Sequence, residues 1–330
     1  MLGRWLREDL GFAGCEVAPA SADASFRRYF RVRRDADSFI VMDAPPDKED
    51  VRPYLRVTTL LAEKGLNVPL VLARNLDEGF LLLTDLGQRL YLPELAGDGA
   101  ADPLYGDALD ALLRMQAPGV GNLPAYDRAL LVREMELLPE WFLARHLGIA
   151  VGAAERAMLD RLWEALIRPA LAQPAVFVHR DYHSRNLMVC PGRNPGILDF
   201  QDAVHGPLTY DLVSLLKDCY IEWPAPRVRD WALGFRDRLR DRGLPAGIDE
   251  SEFLRWFDLM GLQRHIKVLG IFCRLYYRDG KRQYLHDLPR VLSYVRAAAA
   301  QYPETAEWAE FITARIAPQF EAAQLRVLGS

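Results

Sequence analysis

Cysteine is scarce in this chain. The 330 residues hold four, Cys15, Cys190, Cys219 and Cys273, too scattered for a C-x-x-C pair, so neither a zinc site nor a redox couple is indicated. Long apolar runs are missing too, and nothing approaches the ~18 residues of a bilayer-spanning helix. Excess charge is absent: 41 basic against 45 acidic residues leave −4, whereas a nucleic-acid surface is normally strongly basic. Neither nucleic acid nor membrane is expected as a partner. The opening segment MLGRWLREDLGF spaces Leu2, Leu6 and Leu10 as an amphipathic helix and lacks the apolar stretch of a secretory signal. With four unpaired thiols, a cytoplasmic location is expected, and a monomer.

What is present suits an ordinary globular core: 50% hydrophobic and 26% charged residues over a length of two domains or lobes. CEVAPA, YFRVRR and SFIVMDAPP read as strands, the last ended by Pro45 and Pro46. DKEDVRPYLRVTTLLAEKG reads as a helix with Asp47 and Asp50 in its first turn and Gly65 just past its end. VPLVLARN and GFLLLTDLG are two further strands around a turn at 77–79. Beyond Gly87 helical periodicity dominates, interrupted by VFVH and by the strand pair NLMVC and GILDF. The expectation is an α+β chain: a small β-rich lobe over 1–87 and a larger, mostly helical lobe over 88–330.

The chemistry concentrates in VFVHRDYHSRNLMVC and GILDFQD. Asp181 closes one strand, Asn186 opens the next after four intervening residues, and Asp199 ends the strand after that. A hairpin of this length brings Asn186 and Asp199 to the same end. One amide oxygen and one carboxylate suit magnesium, a hard cation that keeps waters and bridges phosphates. Asp181, near the ion but not on it, can take the proton from an attacking hydroxyl. The competing interpretation is an acid–amide network that merely caps strand ends. H-R-D-x-x-x-x-N followed by a metal-binding Asp is the arrangement kinases use for phosphoryl transfer.

On these residues the chain resembles the aminoglycoside phosphotransferase and choline kinase superfamily, the small-molecule branch of the protein-kinase-like fold. The runs SADASFRRYFRV, FIVMDAPP, HRDYHSRNLM, LDFQDAVHGPLTYDLVSLLKDCYI and GIFCRLYYRDGK further resemble bacterial cell-wall recycling kinases. Those enzymes phosphorylate the anomeric hydroxyl of N-acetylmuramic acid and N-acetylglucosamine. The resemblance covers almost the whole chain. It implies a bilobal fold, ATP and an amino sugar as substrates, and Mg2+ as cofactor.

Asp211, in the apolar run LTYDLVSLL, needs partners there, so it and His179 are assigned structural roles in holding the catalytic loop. For the nucleotide, the small residues Ser21, Ala22, Ala24 and Ser25, with Asp23, would cover phosphates through backbone N–H groups, or form a plain β-turn. The third strand reads F-I-V-M-D where protein kinases carry V-A-I-K. Arg28 and Arg31, and less so Lys48, are candidates to replace the missing Lys, or are solvated charges on an exposed strand face. Asp85 would be the polar member of the adenine hinge.

For the acceptor, Tyr182, His183, Arg185, Gln201, Asp202 and His205 flank the catalytic groups. Trp141 and Phe142 would offer a sugar-binding face or lie in the core. Arg264, Lys267, Arg274 and Arg278 recur on one side of a long helix, a stripe that would take an anionic substrate or face solvent. Arg264 and Arg274 are the acceptor candidates among them. A kinase of aminoglycosides or amino alcohols, and a catalytically silent nucleotide-binding protein, remain open alternatives.

Overall fold

The computed structural model describes residues 1–22, 26–97, 100–119 and 121–328. They form two compact units, 1–115 with 185–203, and 116–184 with 204–330. The sequence places the boundary at residue 87. The first unit runs two helices further, through Tyr91–Glu94 and most of Ala101–Gln116, and takes in the hairpin segment 185–203.

The first unit is built on five antiparallel strands: β1 (Glu16–Ala22), β2 (Arg28–Arg34), β3 (Asp37–Asp43), β4 (Val71–Asn75) and β5 (Phe80–Thr84). Their order is β1-β2-β3-β5-β4. The near-continuous apolar run of β5 follows from its place between β3 and β4, where Phe80, Leu81, Leu82 and Leu83 are all buried. The turn before it depends on Gly79, whose φ is +74° and whose missing Cβ would stand 1.9 Å from the Ala44 carbonyl oxygen. The N-terminal helix and the turn after it lay Trp5, Leu6 and Phe12 against Val32, Val41, Phe80 and Leu82. Each such burial is worth roughly 1.5–3 kcal/mol. The next helix is Arg52–Glu63; it begins later than the acidic residues suggested, and Asp50 receives the Arg52 N–H from outside it at 2.9 Å. A hairpin of β7 (Leu187–Met188) and β8 (Gly196–Ile197) completes the unit.

The second unit is mostly helical. Its small sheet pairs β6 (Ala175–Val178) with β9 (Val204–Pro207), a strand that the sequence pattern did not reveal. Two amides fasten the chain leaving β9: Gln116 Nε2 donates to the Leu208 carbonyl at 3.0 Å, and Gln173 Oε1 accepts from Thr209 N at 3.0 Å. Helix Tyr210–Leu216 follows, buried over its whole length. The central element is helix Glu250–Tyr277, capped by Asp249, which accepts from Ser251 N at 2.8 Å. Its periodicity suggested two faces, yet nearly every residue from Trp256 to Leu275 is buried. A helix enclosed on all sides has no solvent face to present. Gly270 lets Leu137 approach so closely that a Cβ would lie 2.5 Å from its carbonyl carbon.

Candidate active site

The second unit carries Asp181 on the loop that leaves β6. Arg180, one residue before it, has φ +78°; among the described residues only Asp35 and Asp199 share this trait without being glycine. A bulky residue held there stores about 1–3 kcal/mol of strain and must be fixed by its surroundings. Asp211, buried in the first turn of helix Tyr210–Leu216, supplies the fixing. Its carboxylate accepts from the backbone N–H of His179 at 2.6 Å and of Arg180 at 3.0 Å. His179 is itself buried, and its Nδ1 accepts from the Asp181 N–H at 3.2 Å, so that nitrogen carries no proton.

Behind the loop lies a buried ionic network. Glu134 accepts from Arg180 Nη2 at 2.5 Å and from Lys267 Nζ at 2.9 Å, and also takes a short hydrogen bond from the Tyr126 hydroxyl. Lys267 donates in turn to the Tyr210 hydroxyl at 3.0 Å. Burial alone would push Glu134 up, but Lys267 and Arg180 outweigh it and hold the carboxyl below its ordinary range. Asp181 behaves likewise: burial opposes its charge, yet Lys267, His183, Arg264 and Arg180 keep it below the usual carboxylate value. Asp211 goes the other way, and burial pushes it up to about 7 despite its two backbone donors.

The first unit carries Asn186 and Asp199 at one end of the β7–β8 hairpin, where Leu198 N donates to the Asn186 carbonyl at 2.9 Å. Asp199 sits in the left-handed region at φ +62°. Gln201 Nε2 donates to its Oδ1 at 2.9 Å, and Arg27 Nη2 stands 3.5 Å from the same oxygen. The next residue, Phe200, stacks on Tyr54 of helix Arg52–Glu63 with ring centres 5.0 Å apart, which anchors the segment. Among the described residues no cluster of three or more His, Cys, Asp or Glu could enclose a metal. One amide oxygen and one carboxylate are too few and too hard for a zinc cage, and they fit magnesium, whose remaining positions go to water and phosphate.

At the nucleotide end the structure redistributes the candidates. Arg28 Nη2 reaches Asp43 across the β2–β3 pair at 2.5 Å. Arg31 makes a fork to Asp85, at 2.6 and 3.1 Å, and donates to the Gly87 carbonyl at 2.7 Å. Asp85 also accepts from Ser38 Oγ at 2.5 Å and Gly87 N at 2.9 Å, so its carboxylate buttresses the strand ends. Lys48 is exposed beside Asp47. Sequence reasoning passed over Arg27, whose side chain is only 10% exposed and lies by Asp199; its place next to the loop, one residue before Arg28, was the available signal. Ser21 and Ala22 end β1, while Asp23, Ala24 and Ser25 lie outside the described residues.

The acceptor candidates scatter. Tyr182 is wholly buried with its ring edge toward His179, so it has no surface to offer a substrate. His183 is nearly buried; Arg185 is half-buried, and Asp202 is exposed. Gln201 is turned to Asp199, and His205 Nε2 lies 3.1 Å from the Ala175 carbonyl within the β6–β9 pair. Phe142 belongs to the core against His146 and Phe320, and Trp141 lies under Arg145. The basic stripe is not one accessible face: Arg264 and Lys267 are buried, Arg274 is half-buried, and Arg278 is exposed and paired with Asp279. Arg264 Nη1 lies 3.4 Å from Cys219 Sγ. Glu134 was missed, because nothing local in VREMELL marks it as the partner of Arg180.

The chain falls in a class of enzymes that transfer phosphoryl groups. Residues 16–248 match the model of the phosphotransferase enzyme family, and the chain belongs to that family. The N-acetylmuramate/N-acetylglucosamine kinase of Pseudomonas aeruginosa is 51% identical over 298 residues, covering 90% of this chain and 88% of that one. The protein of the same name from Pseudomonas putida is 49% identical, covering 90% and 87%. Among solved structures, the ethanolamine kinase of Plasmodium vivax shares the fold with a TM-score of 0.66 at 12% identity, over 89% of this chain and 85% of that chain. The chain is a kinase of the phosphotransferase enzyme family, with the protein-kinase-like α+β fold.

Proposed function

We propose that the chain uses ATP and magnesium to phosphorylate the anomeric hydroxyl of N-acetylmuramic acid, N-acetylglucosamine or both, in the cytoplasmic recycling of peptidoglycan. The acceptor follows from the names of the two Pseudomonas relatives, which match this chain over nine-tenths of its length. The chemistry rests on one observation: Asp181 follows directly on two backbone amides bound by the buried Asp211 carboxylate, and nearby Lys267, His183, Arg264 and Arg180 favour its charged form.

In this reading Asp181 accepts the proton of the C1 hydroxyl as that oxygen bonds to the γ-phosphorus, and the bond from phosphorus to the β–γ bridging oxygen breaks to release ADP. Asn186 and Asp199 would hold a magnesium ion, which when bound would offset phosphate charge. Arg27, beside Asp199, stands in for the strand lysine. Positioning and charge neutralisation supply most of the rate.

Asp181→Asn tests the base. We expect kcat to fall by about 10²–10⁴-fold with the melting temperature and ATP binding retained. Turnover near the wild-type rate would sink the assignment.

A further inference from the structure

Asp211 is in the first turn of helix Tyr210–Leu216, and Asp218 follows just beyond the last, seven residues later in the chain. Asp211 binds the loop before Asp181. Asp218 binds it after: its Oδ2 accepts from the Ser184 N–H at 2.9 Å and from Ser184 Oγ at 2.5 Å. Its Oδ1 accepts from the Tyr220 N–H at 2.9 Å. Tyr220 in turn sets its ring against the edge of His183, centroids 5.3 Å apart at 79°.

Asp218 and Ser184 are both 0% exposed. Burying a carboxylate costs several kcal/mol, and a matched apolar pair would serve the core as well or better. What the charge gives instead is direction: three donors converge on one group and fix the loop's exit, as Asp211 fixes its entry.

We infer that Asp218 is a positioning residue for phosphoryl transfer, acting through Ser184 to hold the far side of the loop that presents Asp181. The inference rests on Asp181 being the base, so its test needs one readout that is independent of the acceptor.

Asp218→Asn, Ser184→Ala and the double variant would be assayed with MgATP and N-acetylmuramic acid. A displacement of about 1 Å in a catalytic group costs on the order of 10²-fold, so Asp218→Asn should lower kcat about that much and leave KM for ATP within about twofold. Ser184→Ala, which keeps the backbone bond, should lower kcat by about tenfold. The double variant should fall no further than Asp218→Asn alone, because one interaction is being removed twice. Hydrogen exchange of the 179–184 amides should rise in both single variants while the melting temperature of Ser184→Ala stays near wild type. Unchanged kcat in folded variants, or additive losses, would overturn the inference. If the wild type does not phosphorylate the sugar, the acceptor reading fails and exchange decides the clamp. A rise confined to 179–184 sustains it, and unchanged exchange overturns it.

Discussion

The Asp211 carboxylate accepts a 2.6 Å hydrogen bond from the backbone N–H of His179, and a second from Arg180 at 3.0 Å. A single buried acid thereby fixes the strained residue that precedes the proposed base. Its protonation then bears on stability. Burial raises Asp211 to about 7 from its ordinary 3.8, so the folded chain keeps a proton that the unfolded chain releases. Folded chains bind more protons across this window, and stability from this group falls as pH rises from about 4 to about 7. Asp211→Asn removes the dependence. Urea unfolding at pH 5 and pH 7.5 should show a steeper loss in the wild type; equal losses would contradict the shift.

Arg27 and Arg28 are neighbours with different duties. Arg28 pairs with Asp43 from a side chain that is 64% exposed, and exposed pairs contribute little. Arg27 stands by Asp199 and is nearly buried. A charged hydrogen bond to phosphate is worth about 1.5–3 kcal/mol, so Arg27→Met should raise KM for ATP about tenfold or more. Arg28→Met should change it less than about twofold. Steady-state kinetics with varied ATP separates them, and a reversed order would move the phosphate cation to Arg28.

Asn186 and Asp199 offer a metal one oxygen type each, with the rest of its shell from water and nucleotide. EDTA should abolish turnover and magnesium restore it. Asp199→Ala should cut kcat by about 10²-fold or more, with nucleotide-free stability little changed. Full activity in chelator would remove the metal from the account.

Lys267 ties two carboxylates together: it contacts Glu134 at 2.9 Å and lowers both Glu134 and Asp181. Because Asp181 lies below its ordinary 3.8, its ionisation should not limit kcat/KM anywhere near neutrality. Lys267→Met should move the acid limb of the kcat/KM profile upward and cost about 3–5 kcal/mol, since it strands a buried partner. An unshifted limb in the folded variant would show that Lys267 does not act on Asp181.

The strands of the first unit were legible because alternation, paired prolines and a turn glycine are local signals. The proposal for Asp181, Asn186 and Asp199 rests on the same kind of local signal, their spacing along the chain. What failed was whatever depends on distant partners. The basic helix seemed two-faced because charge usually means solvent, but Lys267 is buried opposite Glu134, 133 positions away (267 minus 134). Phe142 could have been a sugar platform or core, and only packing against His146 and Phe320 decides for the core. β9 carries a His-Gly-Pro run without strand composition, and its pairing with β6 is tertiary.

The packing of helix Glu250–Tyr277 makes a separate test of the fold. A methyl on Gly270 would collide with the Leu137 backbone, which cannot rotate away. Gly270→Ala should destabilise by about 1–3 kcal/mol, read as a lower denaturation midpoint. A midpoint at or above wild type would show that the two segments separate readily.

The most direct test of the central claim is phosphorus NMR of a reaction holding the chain, MgATP and N-acetylmuramic acid, with N-acetylglucosamine, choline and kanamycin in parallel. ADP and a sugar phosphate are expected in equal amounts, the new resonance split by the anomeric proton, with N-acetylmuramic acid, N-acetylglucosamine or both and not with choline or kanamycin. Phosphate on any other hydroxyl, or turnover confined to the cationic acceptors, would contradict it.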